Sequence, residues 1–230
     1  MAGNWKIIYL ARRNPSLAPE AFPAAWQEHS ARGRQCRNVQ DKVTAVAQCP
    51  RLLDVEIPGL ARDYDGVGLL RLRDRAVADD IWDDPETLAI MRPDEPRVFA
   101  GYVRNFALVA CERVLRAGTE TGCVLYGFLV RAPGLLREHF EAAWFAAPPG
   151  NAVGGIDASA RRVVRNRVDA APPGYAYDGV AEWWFDSASH LCAAFAGGAV
   201  TQHLPLVWRA LIDPARSVFI AAGVSLRRGA

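Results

Sequence analysis

Residues 13–26 read RNPSLAPEAFPAAW and residues 131–144 read RAPGLLREHFEAAW. Eight of the fourteen positions are identical: Arg13/Arg131, Pro15/Pro133, Leu17/Leu135, Glu20/Glu138, Phe22/Phe140, Ala24/Ala142, Ala25/Ala143 and Trp26/Trp144. A second block follows in the same order, Tyr64-Asp65-Gly66-Val67 returning as Tyr177-Asp178-Gly179-Val180. Between the blocks, NVQDKV (38–43) is matched with VVRNRV (163–168). The offset changes from 118 to 113 between the blocks, which places insertions and deletions in the loops. Self-similarity of this kind decides the architecture before any single element is read. The 230-residue chain reads as two copies of one unit, 1–117 and 118–230.

The elements follow outward from these blocks. KIIYLAR (6–12) is a run of strand formers ended by Asn14-Pro15. Pro19 suits a first helical turn, and Phe22, Ala25, Trp26 and His29 recur at helical spacing, so one face of that helix packs inward. CRNVQDKVTAV (36–46) alternates and predicts a half-buried strand. Asp65-Gly66 turns into the strand GVGLLRLR, a helical stretch over roughly 76–92 stops at Pro93, and FALVACERVL (106–115) closes the unit. The second copy repeats the order with CVLYGFLVR, LLREHFEAAWF, ARRVVRNRV, GVAEWWFD, SASHLCAAF and SVFIAAGVSL. The order β-α-β-β-α-β is the split βαβ of ferredoxin-like folds, four antiparallel strands with helices on one face. Both strand parities carry apolar side chains, so the other face needs cover as well, and the second copy's sheet is the natural cover. The expected class is α+β, tandem ferredoxin-like units forming an intrachain pseudo-dimeric α+β barrel. A ligand cavity is expected between the two sheets.

Composition removes several function classes. Lys+Arg 27 against Asp+Glu 25 leaves a net charge of +2, too balanced for a basic field on nucleic acid or an acidic membrane. Only Lys6 and Lys42 are lysines. Five widely spaced cysteines form no CxxC pair or zinc-ligand pattern and read as reduced thiols. The start MAGNWKIIYLARR is too short in apolar residues for a signal peptide, and no run of about 18 apolar residues exists for a membrane span. The expectation is a cytoplasmic protein with no nucleic-acid or membrane partner. No GxGxxG, P-loop, HExxH or GxSxG is present, and no metal site is expected.

The stretch YLARRNPSLAPEAFPAAWQEHS (9–30), the strand CRNVQDKV, the block YDGVAEWWFDS (177–187) and the close IDPARSVFIAAGVSL (212–226) together resemble the EthD family of the dimeric α+β barrel superfamily. The resemblance covers nearly the whole chain as two fused units, where the family usually builds its barrel from two chains. It implies a small-molecule enzyme without metal or organic cofactor. Relatives act in catabolism of aromatic and ether compounds, as dehydratases or decarboxylases in polyketide tailoring, and as lactone isomerases or monooxygenases. It also places the family's helix-end histidine, W-x-x-H, at His29 after Trp26-Gln27-Glu28, whereas the second copy carries Ala147 there. The pseudo-twofold symmetry is thereby broken, and one imidazole is expected to act as acid and base.

Strand parity selects the remaining candidates. Ala181, Trp183 and Phe185 align with Gly68, Leu70 and Leu72 and are expected beneath the helices, while Glu182, Trp184, Leu69 and Arg71 face the space between the sheets. The second strand is sorted with Val39, Val43, Val164 and Val168 toward the helices and Asn38, Gln40, Lys42, Arg165 and Arg167 toward the cavity. The expected catalytic groups are His29 and Glu182. The expected substrate-binding groups are Tyr9, Asn38, Gln40, Arg71, Tyr126, Arg165, Trp184 and His203, the last following a Gly-Gly loop. His139 and His190 read as surface and structural. The loop 148–155 reads as a lid or a linker. The function expected first is a cofactor-independent lyase (decarboxylation, dehydration or ring opening) or isomerase on a small aromatic, carboxylated compound. A cofactor-free monooxygenase on a phenol and a non-catalytic binding protein are the alternatives. Whether the fused chain pairs again as a homodimer is left open by the sequence.

Overall fold

The computed structural model of the chain describes residues 4–120, 122–146 and 155–229. Ala147 and residues 148–154 of the loop singled out above lie outside the described residues. The first copy contributes β1 (Trp5–Ala11), β2 (Val43–Pro50), β3 (Gly66–Leu72) and β4 (Ala107–Arg116), and the second contributes β5 (Cys123–Leu129), β6 (Arg162–Ala170), β7 (Gly179–Phe185) and β8 (Val218–Gly223). A short β9 (Leu226–Gly229) follows. The sheet order is β8-β5-β7-β6-β4-β1-β3-β2-β9, antiparallel at every junction.

Two features turn this sheet into a barrel. The β4–β6 ladder, Ala110↔Val168 through Val114↔Val164, joins the copies along one edge. On the other edge the last strand changes partner. Residues of β8 pair with β5, the chain bends at Val224 and Ser225, and β9 pairs with β2 through Val46↔Arg228 and Gln48↔Leu226. The bridge Arg51↔Ala222 and the bond from Leu52 N to Ala221 O (2.9 Å) seal the corner. The sequence reading ran this stretch as one strand, and a strand that switches sheets at a bend is how such corners are made.

The repeated blocks are explained by contacts that occur twice. The Arg13 backbone N donates to Asp65 Oδ2 and its Nε to Leu17 O, and the Arg131 N and Nε do the same to Asp178 and Leu135 O, all at 2.8–2.9 Å. Phe22 stacks on Trp26 in the Phe22–Arg32 helix and Phe140 on Trp144 in the Arg137–Phe145 helix. Each tryptophan lies against the glycine of its Asp-Gly pair. A Cβ on Gly66 would sit 2.9 Å from the Trp26 ring, and one on Gly179 would sit 3.0 Å from Trp144 Nε1. The identities therefore mark one device, an arginine–aspartate lock plus an indole laid on a bare backbone.

The barrel interior departs from the expectation of a hollow. It is packed by Ile8, Leu10, Leu69, Leu108, Tyr126, Phe128, Trp184 and Ile220 among others, none more than 8% exposed. Two further apolar clusters lie outside the sheet under each copy's helices, centred on Phe22 and Trp26 and on Phe140 and Trp144. One end of the interior is ionic. The Lys6 ammonium lies between Glu112 and Glu182, at 2.7 Å from Glu182 Oε1. Asn166 Nδ2 and Trp184 Nε1 donate to the same Glu182 carboxylate. Arg71 grips Glu112 with two bonds and reaches Glu120, which also receives Arg162 and Arg227. Burial works against a charged Glu112, but Lys6 and Arg71 outweigh it and hold its pKa down at about 2.

The strand-three parity expected from sequence matches these layers, with Trp184 and Leu69 inside and Trp183, Phe185 and Leu70 under the helices. The second-strand assignment is corrected. Residues Arg37–Gln40 form a helical turn, and β2 begins only at Val43. Ladder partners fix the true correspondence: Ala47 faces Leu69 and Val164 faces Glu182, so TAVAQC (44–49) matches RRVVRN (161–166). This reverses β6. Val164, Asn166 and Val168 point inward, and Arg165 and Arg167 point toward the helices. Gln48 and Arg165 are then equivalent, and each donates to the backbone carbonyl of its copy's tryptophan, Trp26 O at 2.9 Å and Trp144 O at 2.8 Å.

Replacing Lys6 by Met leaves buried Glu182 without its cation and Glu112 with Arg71 alone, and the expected loss of unfolding free energy is about 3 kcal/mol by urea titration. The double variant K6M/E182Q should recover part of it. An undiminished K6M would mean that water, not Lys6, carries those charges. Glu112 titrates below its ordinary value in the folded protein, so its stabilisation is present above about pH 4.5 and is lost as pH falls toward about 2. The acid limb of the stability profile should therefore flatten over that window in Glu112→Gln.

Candidate functional site

With the interior filled, the space for a ligand lies on the opposite face of the first copy's sheet. A cavity of about 450 Å³ opens between β1–β3, the C-terminal half of the Phe22–Arg32 helix and residues 81–103. That volume suits a small organic molecule. Its inner end is formed by the buried Tyr9, His29, Glu95 and Val103, its apolar walls by Val43, Val46, Leu70, Ile81 and Met91, and its mouth by the exposed Arg34, Gln40 and Thr44.

His29 is placed by the helix that Trp26 anchors, one turn further along the same buried face. Its Nδ1 lies 2.9 Å from Asp94 Oδ2. Asp94 comes from the tight turn Arg92–Asp94; Arg97 Nε binds its other oxygen, Oδ1, at 2.8 Å, and Arg32 Nε lies 3.3 Å from Oδ2. The Arg97 bond, with His29, overcomes burial and keeps the Asp94 carboxyl at about 2. Burial pulls His29 below its ordinary value despite Asp94. An ionised carboxylate only accepts, so at neutral pH the neutral imidazole carries its proton on Nδ1. Nε2, which has no hydrogen-bond partner among the described residues, is left as a base at the cavity wall.

Two more groups sit beside it. Trp26 Nε1 donates to the Tyr9 hydroxyl at 3.2 Å, which leaves the phenol proton for an acceptor in the cavity. Burial pushes the Tyr9 pKa up, so it stays a neutral donor. Its ring lies flat on the strand because Gly68 has no side chain; a Cβ there would run into the ring. Glu95 is buried and receives Val103 N at 3.0 Å, and burial raises its pKa. The site thus combines a base, a neutral hydroxyl donor and a carboxyl pushed toward its protonated form. Among the described residues no group of three or more His, Cys, Asp or Glu side chains is placed to hold a metal ion.

Of the residues expected from sequence, Tyr9, His29 and Gln40 come together here. Asn38 is exposed on the turn beside the mouth, its backbone N bonded to Glu86. Arg71, Glu182, Trp184 and Tyr126 are in the barrel interior, where Tyr126 donates to Cys49 Sγ. Arg165 lies beneath the second copy's helix with its guanidinium over the Trp208 ring. His203 packs against Phe195. The sequence reading missed Asp94, Glu95, Arg34 and Arg228. The first two stand in RPDEPRVF (92–99), where Pro93 was read only as a stop. Pro93 and Pro96 in fact each start a new helical turn, and the acidic pair between them was the available signal.

No helix among the described residues is long and apolar enough to cross a membrane. No family model matches the chain, and no curated protein matches it in sequence. Solved structures do match in shape. An anthrone oxidase-like protein superposes with a TM-score of 0.59 at 11% identity, over 98% of this chain and 93% of that one. A protein described as a monooxygenase from Fusobacterium nucleatum gives 0.56 at 7% identity, over 99% and 95%. Another described as a monooxygenase, from Lactobacillus acidophilus, gives 0.52 at 8% identity, over 100% and 97%. At such identities the likeness speaks for fold alone, an α+β barrel of the dimeric type with both halves in one chain.

Proposed function

We propose that the chain is a cofactor-independent enzyme of the EthD kind that takes a proton from a small aromatic substrate in the His29 cavity. The observation that carries this reading is the Asp94–His29 pair at the buried end of an apolar pocket. Asp94 fixes the tautomer, burial keeps the ring neutral, and Nε2 is the nitrogen left free on a ring that lines the cavity. A phenol or activated ring methylene that loses a proton to Nε2 becomes an electron-rich anion. Tyr9 donates a hydrogen bond to the oxygen on which that charge settles.

Of the reactions open to such an anion, oxygenation is favoured. The electrons come from the substrate: a ring CH₂ and one O₂ give a ring C=O and one water, with no external reductant. The names of the structural neighbours support this direction, and the apolar walls suit a dissolved gas. The lyase and isomerase readings use the same base and keep Glu95 as the returning acid, so they differ in one observable. Oxygen uptake accompanies turnover in the first case, and anaerobic turnover marks the second.

His29→Ala should lower kcat by about 10²-fold or more on any accepted substrate, with substrate binding retained. Full activity in that variant would remove the imidazole from the mechanism. Asp94→Asn should cost a similar factor by freeing the other tautomer. Only the neutral ring is a base, so kcat/KM should be level at neutral pH and fall on the acid side, with its midpoint below the ordinary histidine value. A limb centred above pH 7 would contradict the assignment.

A further inference from the structure

The C-terminal strand has a role that the repeat does not foresee. β9 leaves the second copy and pairs with β2 of the first. Arg227 and Arg228 are adjacent, so the strand sends them to opposite faces. Arg227 faces the barrel end and pairs with Glu120. Arg228 stands opposite Val46, a cavity-wall residue, and lines the cavity itself. Its Nη2 lies 4.0 Å from where a Cβ on Gly33 would stand. It therefore abuts the turn that carries Arg34, the other arginine of the mouth.

Neither cation is neutralised. Most arginines of the chain are ion-paired, but Arg34 and Arg228 make no salt bridge among the described residues. The nearby carboxylates are engaged elsewhere: Glu86 accepts Asn38 N, Asp84 caps Glu86 N and Thr87 N, and Glu95 accepts Val103 N at the far end. Two arginines without a carboxylate partner, on neighbouring segments of the rim of an apolar pocket, suit an anion that both can reach.

We propose that Arg34 and Arg228 form the carboxylate-binding mouth of this cavity, so that the substrate is an aromatic acid whose carboxylate stays at the rim while its ring reaches His29. The assignment rests on the cavity being the substrate site and deepens that reading. It also makes the tail of the second copy part of the first copy's site.

The test compares two probes that differ by one carboxylate, 1-hydroxy-2-naphthoate and 1-naphthol, by calorimetric titration of the full chain. The naphthoate should bind at least about 10-fold more tightly, with affinity falling as KCl rises. Arg228→Gln and Arg34→Gln should each weaken the naphthoate about 10-fold and leave naphthol within about twofold. Arg34 is exposed, so its variant reports on the mouth even if the strand variant folds poorly. Equal affinity for the two probes, binding of neither, or an unchanged naphthoate affinity in both variants overturns the proposal. Discrimination that persists in His29→Ala, with no turnover of any aromatic acid by the wild-type chain, would remove the proposed reaction and leave the mouth standing. Turnover without discrimination would do the reverse.

Discussion

An ammonium group shut away from water must be surrounded by oxygen, and Lys6 meets that condition only because the two copies face each other. Glu112 comes from its own copy and Glu182 from the other, and both lie against the same nitrogen. Breaking such a group costs several kcal/mol, while forming it contributes little net stability. Its effect is therefore to specify: one register of β4 on β6, and one facing of the sheets, brings all three side chains together. Arg71, Glu120, Arg162 and Arg227 extend the same logic to the linker and the tail. The rest of the interior is filled by side chains of both copies, so the barrel is a core. That packing leaves the cavity on the helix-covered face of the first copy's sheet.

On that face the two copies have diverged. In the first, Gln48 binds the Trp26 carbonyl and Ser30, and space remains beyond it toward His29. In the second, Arg165 takes the equivalent place, binds the Trp144 carbonyl and lies over Trp208. A larger side chain and an extra indole fill the second copy where the first is open. The burial of Arg165 pulls its pKa down to about 9, the mark of a guanidinium held by rings and carbonyls more than by a carboxylate. The second copy is thus filled where the first keeps a cavity.

The parts of this organisation that were legible in the sequence are those that obey a period. The repeat is legible because Arg13, Asp65, Gly66 and Trp26 form one lock, and Arg131, Asp178, Gly179 and Trp144 form it again. Strand three sorted correctly because both copies alternate without interruption. The second strand did not, because a helical turn at Arg37–Gln40 interrupts the strand within the alternating letters CRNVQDKVTAV. The error of register carried Arg165 to the wrong face. His29 was found through its place after Trp26. Its partner Asp94 was not, because the pairing is set by a proline-punctuated chain of short turns with no period to read.

The tail gives the two halves a second backbone connection besides the β4–β6 ladder. The tail of the second copy crosses between the sheets: β8 completes the second sheet, and three residues later β9 lies on the first. The bend at Val224 and Ser225 makes that possible without a long loop, and Ser225 N bonds Gln48 O at 2.9 Å to hold it. Gln48 is the same residue whose side chain ties β2 to the carbonyl of Trp26. Gln48 thus touches the tail through its backbone and the helix that carries His29 through its side chain.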